Sequence, residues 1–225
     1  MHFPRRLGHT ALVIVASAVA APSLAAQGSR AERAPSPEVR KLALNGVSDA
    51  IDVEDLKANI YTTATRCRSA LLTPICALSR FRGFEDRHYL DRAELKRDIL
   101  RIKVYYYKHG FRTAQVDTAV TTLNEKQVAV RFDIVEGPPI VVTDVAVTYD
   151  STMLRPRRVR RLTSLHVGEP LDLFQMDSMR MNFQDALWEL GYADALIDTS
   201  SVVDSAGQTA HVQLPVIPNN RTTVG

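Results

Sequence analysis

An α+β fold built twice in tandem, each copy running strand, helix, helix, strand, strand, follows from three features of the sequence. Residues 107–118, Tyr-Lys-His-Gly-Phe-Arg-Thr-Ala-Gln-Val-Asp-Thr, return at 188–199 as Trp-Glu-Leu-Gly-Tyr-Ala-Asp-Ala-Leu-Ile-Asp-Thr, so Gly110, Ala114 and Asp117 match Gly191, Ala195 and Asp198 at an offset of 81 residues. An apolar stripe at helical spacing precedes each repeat, and two runs of period-two alternation follow it. A repeated unit without repeated catalytic side chains points to binding or scaffolding.

The first copy opens with Leu42 and Leu44, which alternate as in a half-buried strand and run into a turn at Gly46. Asp52 is placed to cap a short helix carrying Val53, Leu56 and Ile60. Residues 62–88 interrupt the pattern with both cysteines, Pro74, Gly83 and several arginines, and read as an insertion on the unit. Asp91 starts a second helix, with Leu95, Ile99, Ile102 and Tyr106 on one face and Gly110 placed to end it. Strands are expected at 114–123 and 128–135 around the turn Asn124-Glu-Lys, and Val128, Val130, Phe132 and Ile134 require one buried face. Glu136-Gly-Pro-Pro closes the copy.

The second copy repeats the order: a strand at 141–149, a short helix at 156–165, a longer helix started by Asp172, and strands at 195–203 and 210–217. Val145 and Val147 match Leu42 and Leu44 at an offset of 103, and Val212, Leu214 and Val216 match Val130, Phe132 and Ile134 at 82. The one extra residue falls in the hairpin turn 204–208, where insertions are tolerated. The drop from 103 to 81 leaves 22 residues, close to the length of the cysteine-bearing insertion. A hairpin sets the last two strands side by side, and a helical crossover lets the first pair in parallel with the third. Each copy is thus expected to be a three-stranded mixed sheet covered by two helices.

Arg5 and Arg6 followed by the apolar stretch 11–21 and the small residues Ser23-Leu24-Ala25 read as a cleaved export signal over 1–25. A flexible leader is expected at 26–37, the first domain at 38–140, the second at 141–219, and the start of a truncated third at 220–225. The net charge of +3 falls toward neutrality once the signal is removed, which excludes the strongly basic balance of a nucleic-acid binder. Cys67 and Cys76 are the only cysteines, and in an oxidising compartment they read as a disulfide; the alternative, a metal site with His88, has no familiar ligand spacing.

Enzyme signatures are missing: the sequence holds no Gly-x-Ser-x-Gly elbow, no His-Glu-x-x-His pair and no phosphate-cradling glycine loop. No catalytic residue, metal ligand or cofactor is therefore assigned. Asp117 and Asp198 recur one per copy, whereas a catalytic pair must converge in one site. The run Arg155, Arg157, Arg158, Arg160 and Arg161 reads as a solvated helix face, with anionic lipid headgroups or acidic partner segments as alternatives. Tyr105-Tyr106-Tyr107 reads mainly as core, since Tyr106 continues the buried stripe.

The segments Tyr-Tyr-Tyr-Lys-His-Gly-Phe-Arg-Thr-Ala-Gln-Val at 105–116, Phe-Asp-Ile-Val-Glu-Gly-Pro at 132–138 and Leu-Trp-Glu-Leu-Gly-Tyr-Ala-Asp-Ala-Leu-Ile at 187–197 resemble polypeptide-transport-associated (POTRA) domains of the BamA/TamA outer-membrane assembly family. The resemblance covers about 38–225, with two departures: Val216-Ile-Pro-Asn-Asn-Arg stands where Glu-Gly-Pro is expected, and the first copy carries the insertion. It implies an exported protein at the periplasmic face of the bacterial outer membrane. It also implies a barrel absent from this chain, with unfolded outer-membrane proteins and other assembly-machine subunits as partners. Clients would be held by β-augmentation at the middle strand of each copy. The positions this nominates are Ala114, Val116, Thr118 and Val120 in the first copy and Ala195, Ile197, Thr199 and Val203 in the second. Other readings on the same fold are a two-partner secretion transporter and an envelope or cell-division protein on an inner-membrane anchor.

Overall fold

The computed structural model describes residues 36–69, Cys76 and 84–221. The proposed signal segment, most of the leader, the rest of the insertion and residues 222–225 lie outside the described residues. The first copy comprises β1 (Glu38–Asn45), α1 (Val53–Ala58), the short strands β2 (Arg66–Cys67) and β3 (Glu85–Asp86), α2 (Arg92–Lys108), β4 (Gln115–Asn124) and β5 (Gln127–Val135). β5 is the central strand, parallel to β1 and antiparallel to β4. Val128, Val130, Phe132 and Ile134 are all buried and pack with Leu56, Ile102 and Tyr106. Each such side chain stabilises the fold by about 2 kcal/mol. The two helices start where a carboxylate accepts from free amides: Asp52 from Glu54 and Asp55, and Asp91 from Ala93 and Glu94.

The second copy comprises β6 (Val141–Thr148), α3 (Pro156–Leu162), α4 (Leu173–Glu189), β7 (Leu196–Ile197), β8 (Ser200–Asp204) and β9 (Thr209–Ile217). Here β9 is central, parallel to β6 and antiparallel to β7 and β8. The repeat extends to individual hydrogen bonds. Val39 N donates to His88 O and its own O accepts from Thr65 N; Val142 N donates to Glu169 O and its O accepts from Gly168 N. The register shift after Val39 in β1 returns after Val142 in β6. Leu42 and Leu44 sit beside Val130 and Phe132, as Val145 and Val147 sit beside Val212 and Leu214.

The Gly-Phe and Gly-Tyr pairs that mark the sequence repeat are helix terminators of one type. Gly110 and Gly191 take φ of 93° and 90°, in the left-handed region. Phe111 N donates to Tyr106 O and Gly110 N to Tyr107 O; Tyr192 N donates to Leu187 O and Gly191 N to Trp188 O. This double closure satisfies the last carbonyls of the helix, and the apolar residue after the glycine folds back on the final turn. The Phe111 ring meets Tyr106 edge-on, with centroids 5.8 Å apart.

The second middle strand departs from expectation. The sequence predicts one strand over 195–203, but pairing stops between Ile197 and Ser200. The register continues through the gap and places Pro215 of β9 opposite Asp198, where the first copy has an Asp117–Asp133 pair. Proline has no N–H for the ladder, so the strand divides into β7 and β8. α3 is also shorter than expected: it ends at Leu162, and the Thr163 hydroxyl donates back to Val159 O.

Within the insertion, β2 and β3 pair antiparallel and Cys67 is bonded to Cys76, with Cα atoms 6.3 Å apart. The ribbon docks on the start of β1, where Arg40 donates to Glu85 at 2.9 Å. Asp98 anchors the chain entering it. Its carboxylate is fully buried, accepts from Tyr61 N and Thr62 N at 2.8 Å each, and pairs with Arg101. In the second copy the same position is Met179, also fully buried. Among the described residues no helix is long and apolar enough to cross a membrane. Asp98→Leu leaves both buried amides without an acceptor and Arg101 with Glu94 alone, and should lower unfolding stability by about 2–5 kcal/mol, while Asp98→Asn, which keeps one acceptor oxygen, should cost about half that. Urea unfolding followed by far-ultraviolet circular dichroism measures both.

Candidate functional site: an open sheet edge and a domain junction

β4 forms the outer edge of the first sheet, paired to β5 on one side and unpaired on the other among the described residues. Its ten residues contain no proline, glycine or lysine; its one charged residue is Asp117, and its one register shift falls beside the hairpin turn, between Thr122 and Asn124. Thr118 and Val120 face α2 and, with Leu95, Lys96 and Ile99, line a groove of about 490 Å³. An unpaired backbone ladder beside an apolar groove suits an extended peptide: the backbone supplies hydrogen bonds and the groove receives alternate side chains. The opposite edge, β1, is blocked at its start by the hydrogen bonds of Val39 to Thr65 and His88.

A second cluster joins the two sheets. His109, the residue that caps the end of α2, places Nδ1 2.7 Å from Oδ2 of Asp172, while Oδ1 of Asp172 accepts from Phe174 N and Gln175 N at the start of α4. The His109 ring lies 4.3 Å from that of Tyr105 and 5.3 Å from that of Phe174, and Lys108 Nζ lies 5.0 Å from the Phe174 centroid. The Tyr105 hydroxyl in turn donates to Asp55 of α1 at 2.8 Å. Burial of Asp172 works against its ionisation, but the hydrogen bonds from His109, Gln175 and Phe174 outweigh it and hold the carboxyl below its usual range. Gly110 O accepts from Ile140 N, and Leu171 N donates to Ile140 O, so the end of one helix and the entry to the next copy share a backbone network. A Cβ on Gly110 would stand 3.0 Å from both N and O of Leu171.

Residues 37–137 match the POTRA family model, described as surface antigen variable number repeat. Residues 37–137 form a POTRA domain. Among solved structures the chain is similar to Haemophilus influenzae BamA POTRA3-5, at 19% identity and a TM-score of 0.44, covering 84% of this chain and 68% of that one. It is similar to the N-terminal domain of Omp85 from the thermophilic cyanobacterium Thermosynechococcus elongatus, at 15% identity and a TM-score of 0.39, covering 80% and 63%. It is also similar to CdiB from Escherichia coli, at 11% identity and a TM-score of 0.35, covering 88% and 30%. No curated protein sequence matches the chain.

In the POTRA domain, Val116, Thr118 and Val120 lie on β4, and Ala114 precedes it. In the second copy only Ile197 and Val203 lie on strands; Ala195 is buried before β7, and Thr199 lies in the gap with its hydroxyl buried and unpartnered. The Glu-Gly-Pro signature also has a local role, since Glu136 Oε1 accepts from Tyr106 OH at 3.0 Å and from Ser48 N at 2.8 Å, tying α2 to the loop after β1. Burial, then the bond to Glu136, raises the Tyr106 hydroxyl pKa. Among the described residues no three His, Cys, Asp or Glu side chains gather as a metal site. Sequence reading identified Gly110 as a helix end but gave no signal for His109, whose partner is 63 residues away.

Because the Asp172 carboxyl is held low in the folded state, its contribution is complete above its unperturbed value near 3.8 and is lost as pH falls below that value through the folded one. Acid titration by nuclear magnetic resonance should show the His109 and Phe174 signals shifting together in this window below pH 3.8. Asp172→Ala should lower stability by about 1 kcal/mol through loss of the cap, with a further loss from the His109 contact that Asp172→Asn isolates. Thermal denaturation of both variants checks this.

Proposed function

We propose that the chain is the periplasmic POTRA scaffold of an outer-membrane β-barrel assembly or translocation protein, and that it holds unfolded client strands by pairing with β4. The observation that carries this reading is the ten-residue β4 edge, unpaired among the described residues and free of proline, beside the groove between Thr118, Val120 and α2. Backbone pairing tolerates many client sequences, which fits a partner that varies. The export signal read from residues 1–25 and the Cys67–Cys76 bond both suit an oxidising compartment outside the cytoplasm. The second copy contributes less to client holding, because Pro215 divides its edge into β7 and β8.

Photo-crosslinkers placed at Thr118 and Ala119 should capture a synthetic peptide with the alternating pattern of an outer-membrane barrel strand, and one at the exposed Leu100 of α2 should not. Adding edge-guarding charge with Val120→Lys and Thr122→Lys should weaken capture about tenfold while leaving the melting temperature within a few degrees. Equal capture from Leu100 contradicts edge pairing.

A further inference from the structure

The first helix of each copy occupies the same place, yet the two carry opposite charge. At the offset of 103 residues, Asp52, Glu54 and Asp55 of α1 correspond to Arg155, Arg157 and Arg158 of α3, followed by Arg160 and Arg161. Packing does not require the exchange, since each helix buries one residue, Leu56 or Val159. It also costs local stability: Asp52 caps α1, whereas Arg155 makes no capping bond and places positive charge at the positive end of the helix dipole. Of these five arginines, only Arg158 has a carboxylate partner among the described residues, Glu189. Of the other carboxylates on this side of the copy, Asp150 accepts from Thr152 and Glu169 faces His166, while Asp144 of β6 alternates to the face opposite Val145 and Val147.

Beside this basic helix lies a second groove, of about 500 Å³, lined by Val145, Val147 and Tyr149 at the end of β6 and by Val159, Arg160 and Leu165. β6 is the outer strand of its sheet, and beyond Val142 its outer backbone has no partner among the described residues. An apolar groove, an unpaired strand edge and unneutralised arginines thus converge in one place. An anionic bilayer would satisfy the arginines but would make no use of the edge or the groove. We propose that the β6 edge and the groove under α3 accept an extended acidic polypeptide, its apolar side chains entering between Val145 and Val147 and its carboxylates meeting Arg160 and the exposed arginines of α3. This site lies on the edge of the second sheet opposite β8, so it holds or fails separately from pairing at β4.

The test uses the full chain, a nonapeptide alternating valine with glutamate, and the same peptide with glutamine. The glutamate peptide should bind about tenfold more tightly, and Arg157→Glu with Arg160→Glu should abolish that preference. Both substituted residues are exposed, and an unchanged circular dichroism spectrum verifies the fold. A photo-crosslinker at Ala146 should capture the glutamate peptide and one at Val202 of β8 should not; crosslinking from Thr118 in the same samples reports β4 separately. Equal binding of the two peptides, or capture from Val202 alone, overturns the proposal. So does arginine-dependent sedimentation with phosphatidylglycerol vesicles without capture at Ala146, which assigns the arginines to a membrane surface.

Discussion

The end of α2 is the point on which the rest of the structure turns. Gly110 adopts a backbone conformation that costs other residues energy, and by doing so it closes α2, releases the chain into β4 and presents its carbonyl to Ile140 of the second copy. The space is closed as well, because Leu171 backbone atoms stand where a side chain would begin. Helix end, edge strand and junction are therefore consequences of one backbone turn. His109 and Asp172 add a side-chain link at the same place, between the end of one long helix and the start of the other.

Comparison of the two copies separates what the fold needs from what each copy adds. Both keep the capping aspartate of the long helix, the glycine that ends it, the shift in the first strand and the buried alternation of the central strand. Where they differ, partners change together. Tyr106 and Glu136, which bond to each other, become Leu187 and Pro218, so neither half of that side-chain bond is left without the other. Gly137 of the Glu-Gly-Pro turn becomes Asn219, which also takes a positive φ, 52° against 70°. Asparagine tolerates this region better than other side chains, so the turn survives although its sequence signature does not. Asp98 becomes Met179 in the copy without the insertion, whose entry Asp98 holds in place.

Much of the fold was legible because periodicity is local. The stripe of Leu95, Ile102 and Tyr106 and the alternation from Val128 to Ile134 report burial residue by residue, and the offsets of 81, 82 and 103 align two copies without any coordinates. What escaped depends on partners distant in sequence. Asp98 lies on the same helix face as Leu95 and Ile102, but only the fold brings Tyr61 and Thr62 to it. The break between β7 and β8 has its cause across the sheet, in Pro215, and Asp198 in isolation reads as a strand residue. The arginines of α3 were visible; that they sit beside an unpaired edge and an apolar groove was not.

If one glycine fixes helix end and junction together, amide hydrogen exchange at Ile140 and Leu171 in Gly110→Ala is the direct measurement. Both amides belong to the shared network: Ile140 N donates to Gly110 O and Leu171 N to Ile140 O. The account predicts that protection at both is lost in the variant, while Val130 and Phe132 in the first core and Val212 and Leu214 in the second remain protected. Unchanged protection at Ile140 and Leu171 would contradict it, because the junction would then hold without the turn at Gly110.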